Sequence, residues 1–197
     1  MKNLTVICFL VVLGAGSAAF ATTTHQMWNF DDQASLVPDV VDNQFGPPVL
    51  MVNTSPAGGW VPDPSGQGGA WALSGEIDVI IPNDPIQREF KVIQLLLTWR
   101  PGDLGMLPNR PLVGVSADPM TAMTMGIINE PIAGTPWTQS LYSITIWPNP
   151  ASEWIAIKGD IVVDKLDITT ECIPEPATMG LLGLGSIALL RNRRKRS

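Results

Sequence analysis

Polar and apolar positions alternate most cleanly at residues 76–81, where Ile77, Val79 and Ile81 form one row and Glu76 and Asp78 the other. A period of two puts successive side chains on opposite faces of an extended chain, so this segment predicts a strand with one buried and one solvated face. The run Ile93, Leu95, Leu97 and Trp99 repeats the pattern, but Val92 and Leu96 are apolar too, which predicts a strand covered on both faces. Further runs rich in β-branched and aromatic residues lie at 71–81, 90–99, 112–116, 141–147, 154–157 and 160–169, separated by prolines and glycines. Between the prolines no segment keeps an i, i+3, i+4 period, and residues 121–129 come nearest to a helix. Residues 53–69, rich in Pro and Gly, predict a long surface loop. Roughly eight short strands in one body fit a double sheet, so the expected fold is all-β, a jelly-roll-like β-sandwich.

Two apolar stretches depart from this pattern because they do not alternate at all. Residues 4–13 follow Lys2 and precede Ala19-Phe20-Ala21, the order of a secretory signal peptide cleaved after Ala21. Signal peptidase and the Sec translocon are the partners such a leader implies. Cys8 lies inside the apolar stretch without small residues just before it, so it is not a lipoprotein acylation cysteine. At the other end, Pro174-Glu175-Pro176 precedes apolar residues 177–190, which stop at Arg191, Arg193, Arg194, Lys195 and Arg196. Positive charge after an apolar segment stays on the cytoplasmic side of a bilayer, so the chain before Pro174 is expected outside the cytoplasm. A helix of the fourteen residues 177–190 spans about 21 Å against a hydrocarbon core of about 30 Å. That length suits a short transmembrane sorting helix better than an ordinary anchor.

The tail resembles the PEP-CTERM sorting signal of Gram-negative bacteria through Pro174-Glu175-Pro176-Ala177-Thr178, the stretch Gly180-Leu181-Leu182-Gly183-Leu184-Gly185 and the terminal arginines. The resemblance implies recognition by an exosortase, a membrane-embedded cysteine protease that processes near the PEP motif. It also implies transient membrane anchoring through the C-terminal helix, then release or transfer to the cell surface or the extracellular polymer. The chain is thus expected to comprise a signal peptide at 1–21, a β-sandwich body at 22–173 and a sorting signal at 174–197.

Removing both ends changes the charge picture. The 152-residue body keeps six basic and seventeen acidic residues, a net charge of −11. Nucleic acid demands clustered Lys and Arg, so this balance excludes it as a partner and fits a soluble surface protein or a binder of cations. Only Cys172 remains in the body, so no internal disulfide can form, and stability must come from packing or from metal. Two readings of Cys172 stand: a bystander thiol in a stalk before the PEP motif, or an intermolecular pairing site.

Candidate chemistry is sparse. The one histidine, His25, lies four residues into the mature chain, where termini are commonly mobile, so neither a nucleophile–His constellation nor a His-based zinc site is expected. Glu76, Asp78 and Glu89 could supply a carboxylate pair for glycoside hydrolysis, although alternating acids on a strand ordinarily make a solvated face. Seven tryptophans stand against a single tyrosine. Trp60, Trp137 and Trp147 have Pro or Gly nearby and are candidates for flat rings laid against sugars, whereas Trp71, Trp99 and Trp154 sit at strand ends and are expected in the core.

Trp28-Asn29-Phe30-Asp31-Asp32 and residues 159–166 resemble the first and last strands of carbohydrate-binding jelly-roll domains. In that family, acids on these strands hold a structural calcium ion, which implicates Asp31 or Asp32 together with Asp164. Calcium takes six to eight oxygen ligands, which acids and backbone carbonyls of paired strands can provide. An ordinary strand end with a tryptophan and acids is an equal reading. The expected function is a non-catalytic, polysaccharide-associated surface or extracellular-matrix protein. The alternatives are a purely structural matrix protein without a ligand and a glycan-active hydrolase or lyase.

Overall fold

The computed structural model describes residues 21–173, apart from 32–35, 56–57, 63–67, 86–88, 106, 119 and 121. Residues 1–20 of the expected signal peptide, the PEP motif, the expected sorting helix with its basic cluster, and Asp32 lie outside the described residues. Within them the chain is all-β, and the ten strands are β1 (Thr22–Trp28), β2 (Val40–Asp42), β3 (Val49–Thr54), β4 (Gly59–Pro62), β5 (Gly69–Pro82), β6 (Phe90–Pro101), β7 (Leu112–Ala117), β8 (Ala122–Pro131), β9 (Thr138–Trp147) and β10 (Ser152–Ile173).

Strand β10 organises the rest. Its first half lies between β5 and β7, and its second half between β1 and β6, every pairing antiparallel. From the second half the sheet continues as β2-β1-β10-β6-β9-β8, while β3 and β4 extend the first half through β5. Both halves point apolar rows into one cluster: Ile77, Val79 and Ile81 with Ile155 and Ile157 from one, and Ile93, Leu95, Leu97, Ile144, Ile146, Leu166 and Ile168 from the other. This one open sheet turned around a shared core is consistent with a β-sandwich.

The buried positions of β10 change parity along its length. Glu153, Ile155 and Ile157 face inward in the first half; Leu166, Ile168, Thr170 and Cys172 do so in the second. A regular strand cannot switch from odd to even positions, because one residue of slip sends every later side chain to the other face. The switch is made where the register with β6 steps from Val163↔Trp99 to Lys165↔Thr98. Asp164 is the extra residue of this β-bulge.

Several sequence expectations change. Of the nearest helix candidate, 121–129, residues 122–129 belong to β8, which pairs with β9 along its whole length and has no partner on its other side among the described residues. Segments 154–157 and 160–169 are parts of one strand, and the long loop at 53–69 contains β4. His25 is not in a loose terminus: it pairs within β1 opposite Thr169, and its Nε2 lies 2.9 Å from Asp167 Oδ1. Cys172 is no stalk residue, since it is buried in β10, with its thiol 3.4 Å from Asn149 Oδ1. Trp99 is buried as expected, but Trp154 is 45 % exposed. Period two explains Trp154, because Glu153 and Ile155 occupy the inward positions on either side of it; its indole N–H donates to Asp78 Oδ1 at 2.7 Å on the outer face.

Candidate functional site

The Asp164 bulge opens onto a cleft of about 700 Å³, lined by residues from the end of β1, from β4 to β6, from the β8–β9 turn and from β10. The turn is held by backbone bonds from Ile132 N to Trp137 O (2.9 Å) and from Thr135 N to Ile132 O (3.1 Å), and Gly134 takes a φ of 77° that a side chain would disfavour. Thr135 Oγ1 accepts from the Trp137 amide at 3.2 Å, which fixes where the Trp137 ring leaves the turn. The Arg100 guanidinium carbon lies 5.6 Å from the centre of that ring, a cation–π distance, and both residues line the cleft.

Of the residues singled out from sequence, Asp31, Asp164 and Trp137 meet in this cleft. The segments expected to act as first and last strands do pair, with Trp28 opposite Leu166. Asp31 follows β1 and approaches Gly68 so closely that a Cβ at Gly68 would sit 2.4 Å from its carboxylate oxygen. Among the described residues no group of three His, Cys, Asp or Glu side chains is placed to hold a metal ion. Asp31 and Asp164 alone fall short of the ligand count calcium requires.

The other candidates separate. Trp60 is half-buried, with its indole N–H on the Phe30 carbonyl at 2.9 Å and its ring against Gly69, where a Cβ would come within 2.2 Å of it. Trp147 is half-buried against Phe90, ring centres 6.3 Å apart. None of the three candidate tryptophans presents a fully open ring. Glu76 pairs with Lys158 at 3.1 Å, Asp78 accepts from Trp154, and neither lines the cleft, nor does Glu89. The carboxylates proposed for hydrolysis therefore do not face one another across it.

A second constellation was not anticipated. Lys91, Glu153 and Asn83 are all buried, and the Lys91 ammonium lies 2.6 Å from Glu153 Oε1. It also contacts Asn83 Oδ1, while Asn83 Nδ2 contacts Glu153 Oε2 and donates to the Pro150 carbonyl at 3.0 Å. Burial pushes the Glu153 carboxyl above its ordinary range, and the neighbouring Lys91 only partly opposes the rise. Period two could have found the pair: Lys91 heads the inward row of Ile93, Leu95 and Leu97, and Glu153 heads that of Ile155 and Ile157.

A family model described as the PEP-CTERM protein-sorting motif matches residues 173–195. The match agrees with the order of elements in the tail and supports a PEP-CTERM domain-containing exported protein. The motif implies exosortase-dependent processing, with transient membrane anchoring before sorting to the cell surface. No curated protein and no solved structure matches the chain.

Proposed function

We propose that the body is a non-catalytic, jelly-roll-like β-sandwich that associates with extracellular polysaccharide once the sorting tail has delivered it. The observation that carries this reading is the Trp137–Arg100 pair in a cleft that also contains Asn29, Asp31, Asp164 and Lys165. A tryptophan ring held by a guanidinium and a hydrogen-bonded turn is presented at little entropic cost, and polar groups around an apolar platform suit the hydroxyls of a sugar. Trp137 is the favoured contact among the three candidate tryptophans; Trp60 and Trp147 are engaged in packing.

Affinity electrophoresis of residues 22–173 through gels containing the host's extracellular polymer tests the assignment. Trp137→Ala is expected to weaken retention about fivefold, near 1 kcal/mol, with the melting temperature unchanged. Parallel gels with calcium and with chelator read whether Asp31, Asp32 and Asp164 contribute an ion to binding. If the wild type shows no retention, the purely structural matrix protein is the better account.

A further inference from the structure

The buried Lys91, Asn83 and Glu153 play no part in the cleft, yet they form a closed ring of contacts in the interior. Asn83 immediately follows β5, Lys91 stands at the start of β6, and Glu153 near the start of β10. Each side chain touches the other two: Lys91 Nζ reaches Glu153 Oε1 at 2.6 Å and Asn83 Oδ1, and Asn83 Nδ2 reaches Glu153 Oε2. The Asn83 backbone N–H also bonds to the Ala151 carbonyl at 3.1 Å, which holds Asn83 against the start of β10. All three residues are 5 % exposed or less.

An ammonium and a carboxylate held this deep lose most of their hydration, so transfer of one proton to give a neutral amine and a neutral carboxylic acid becomes accessible. An uncharged lysine amine is a nucleophile, and here the electrophile beside it is a carboxamide whose nitrogen lies against the acid. We propose that Lys91 and Asn83 become joined, after folding, by an intramolecular isopeptide bond, with Glu153 carrying the protons. Lys91 first gives a proton to Glu153, and its Nζ lone pair attacks Asn83 Cγ, pushing the carbonyl electrons onto Oδ1. Glu153 then protonates Nδ2 and takes a proton from Nζ; the carbonyl re-forms, the Cγ–Nδ2 bond breaks, and ammonia leaves. Ammonium, carboxylate and carboxamide become a secondary amide, a carboxylic acid and ammonia. Hydrogens and charge balance, and no oxidant is needed. The product replaces two buried charges by neutral groups and gives a body without an internal disulfide a covalent cross-link.

The test is a peptide map of the full chain, purified in its folded state, denatured and then digested with trypsin. The expected product is branched: the peptide ending at Arg88 is joined through Asn83 to Lys91 of residues 89–158, since the Arg100–Pro101 and Arg110–Pro111 bonds resist trypsin; cleavage after Lys91 is lost, and the species is lighter by one ammonia, about 17 Da. Glu153→Gln is expected to restore linear peptides and cleavage after Lys91. Separate linear peptides with unmodified Asn83 from the wild type would overturn the proposal. Loss of ammonia at Asn83 without linkage to Lys91, as in ring closure onto Asp84, would overturn it too. Full linkage in Glu153→Gln would overturn the role given to Glu153. Should that variant fail to fold, the wild-type map decides alone.

Discussion

Replacing Glu153 by alanine is expected to lower the unfolding free energy of the body by about 3–5 kcal/mol, because it leaves the other half of a buried pair without its partner. Lys91 and Asn83 would each lose an acceptor at a place that is wholly buried, and an unsatisfied buried donor carries its full desolvation penalty. Glu153→Gln, which keeps an acceptor oxygen, is expected to cost less. Urea unfolding of residues 22–173 followed by tryptophan fluorescence measures both. A loss below about 1 kcal/mol in the alanine variant would mean that the pair is not held as described.

A loss of similar size, about 3–5 kcal/mol, is expected from Trp28→Ala. Trp28 is fully buried at the end of β1, its indole N–H donates to the Leu36 carbonyl at 3.2 Å, and its backbone pairs with Leu166 just beyond the bulge. Truncation removes a large core side chain and leaves a cavity where the first strand meets the last. The exposed Trp154 is the internal control, and its alanine variant is expected to lose less than about 1 kcal/mol. Equal losses at the two positions would contradict the assignment of inward and outward faces on β1 and β10.

These positions also show what period two can reveal and where it stops. The rows of β5 and β6 were legible because one face of each meets the core, and Ile77, Val79, Ile81, Ile93, Leu95 and Leu97 are all fully buried; the expected cover of the second face of β6 is only partial, since Gln94 is exposed and Val92 and Leu96 are half-buried. Strand β8 was not legible, since an edge strand whose two faces both meet solvent has no reason to alternate; Ile127 and Ile128 are adjacent and both exposed. β10 read as two segments because Lys158 and Gly159 interrupt its apolar rows and the bulge at Asp164 then shifts their parity. Trp154 was misplaced for a related reason: hydrophobicity marked it as core, while the parity of Ile155 and Ile157 already put it outside.

The candidate site was legible only in its parts. Asp31, Asp164 and Trp137 stood out by residue type and context, but nothing local in the sequence tells that a turn after β8 reaches the same cleft as the end of β1. Arg100 escaped notice because its significance lies in the distance to Trp137, a contact between β6 and the β8–β9 turn. Lys91 and Glu153 were each visible as a charge heading an apolar row, yet their partnership depends on β6 and β10 bringing those two row ends together. Asn83 reads as an ordinary turn residue after a strand until that pairing is known.

The central claim is that the tail delivers the body outside the cytoplasm and is processed there by an exosortase. The PEP-CTERM match at residues 173–195 and the order of PEP motif, apolar stretch and basic cluster carry it. The most direct measurement is the intact mass of the protein recovered from the surface or extracellular fraction of its native host. The account predicts a mature chain that lacks Arg191 to Ser197 and retains them when the exosortase is deleted. Surface protein that still carries the full basic terminus in a host with active exosortase would contradict it.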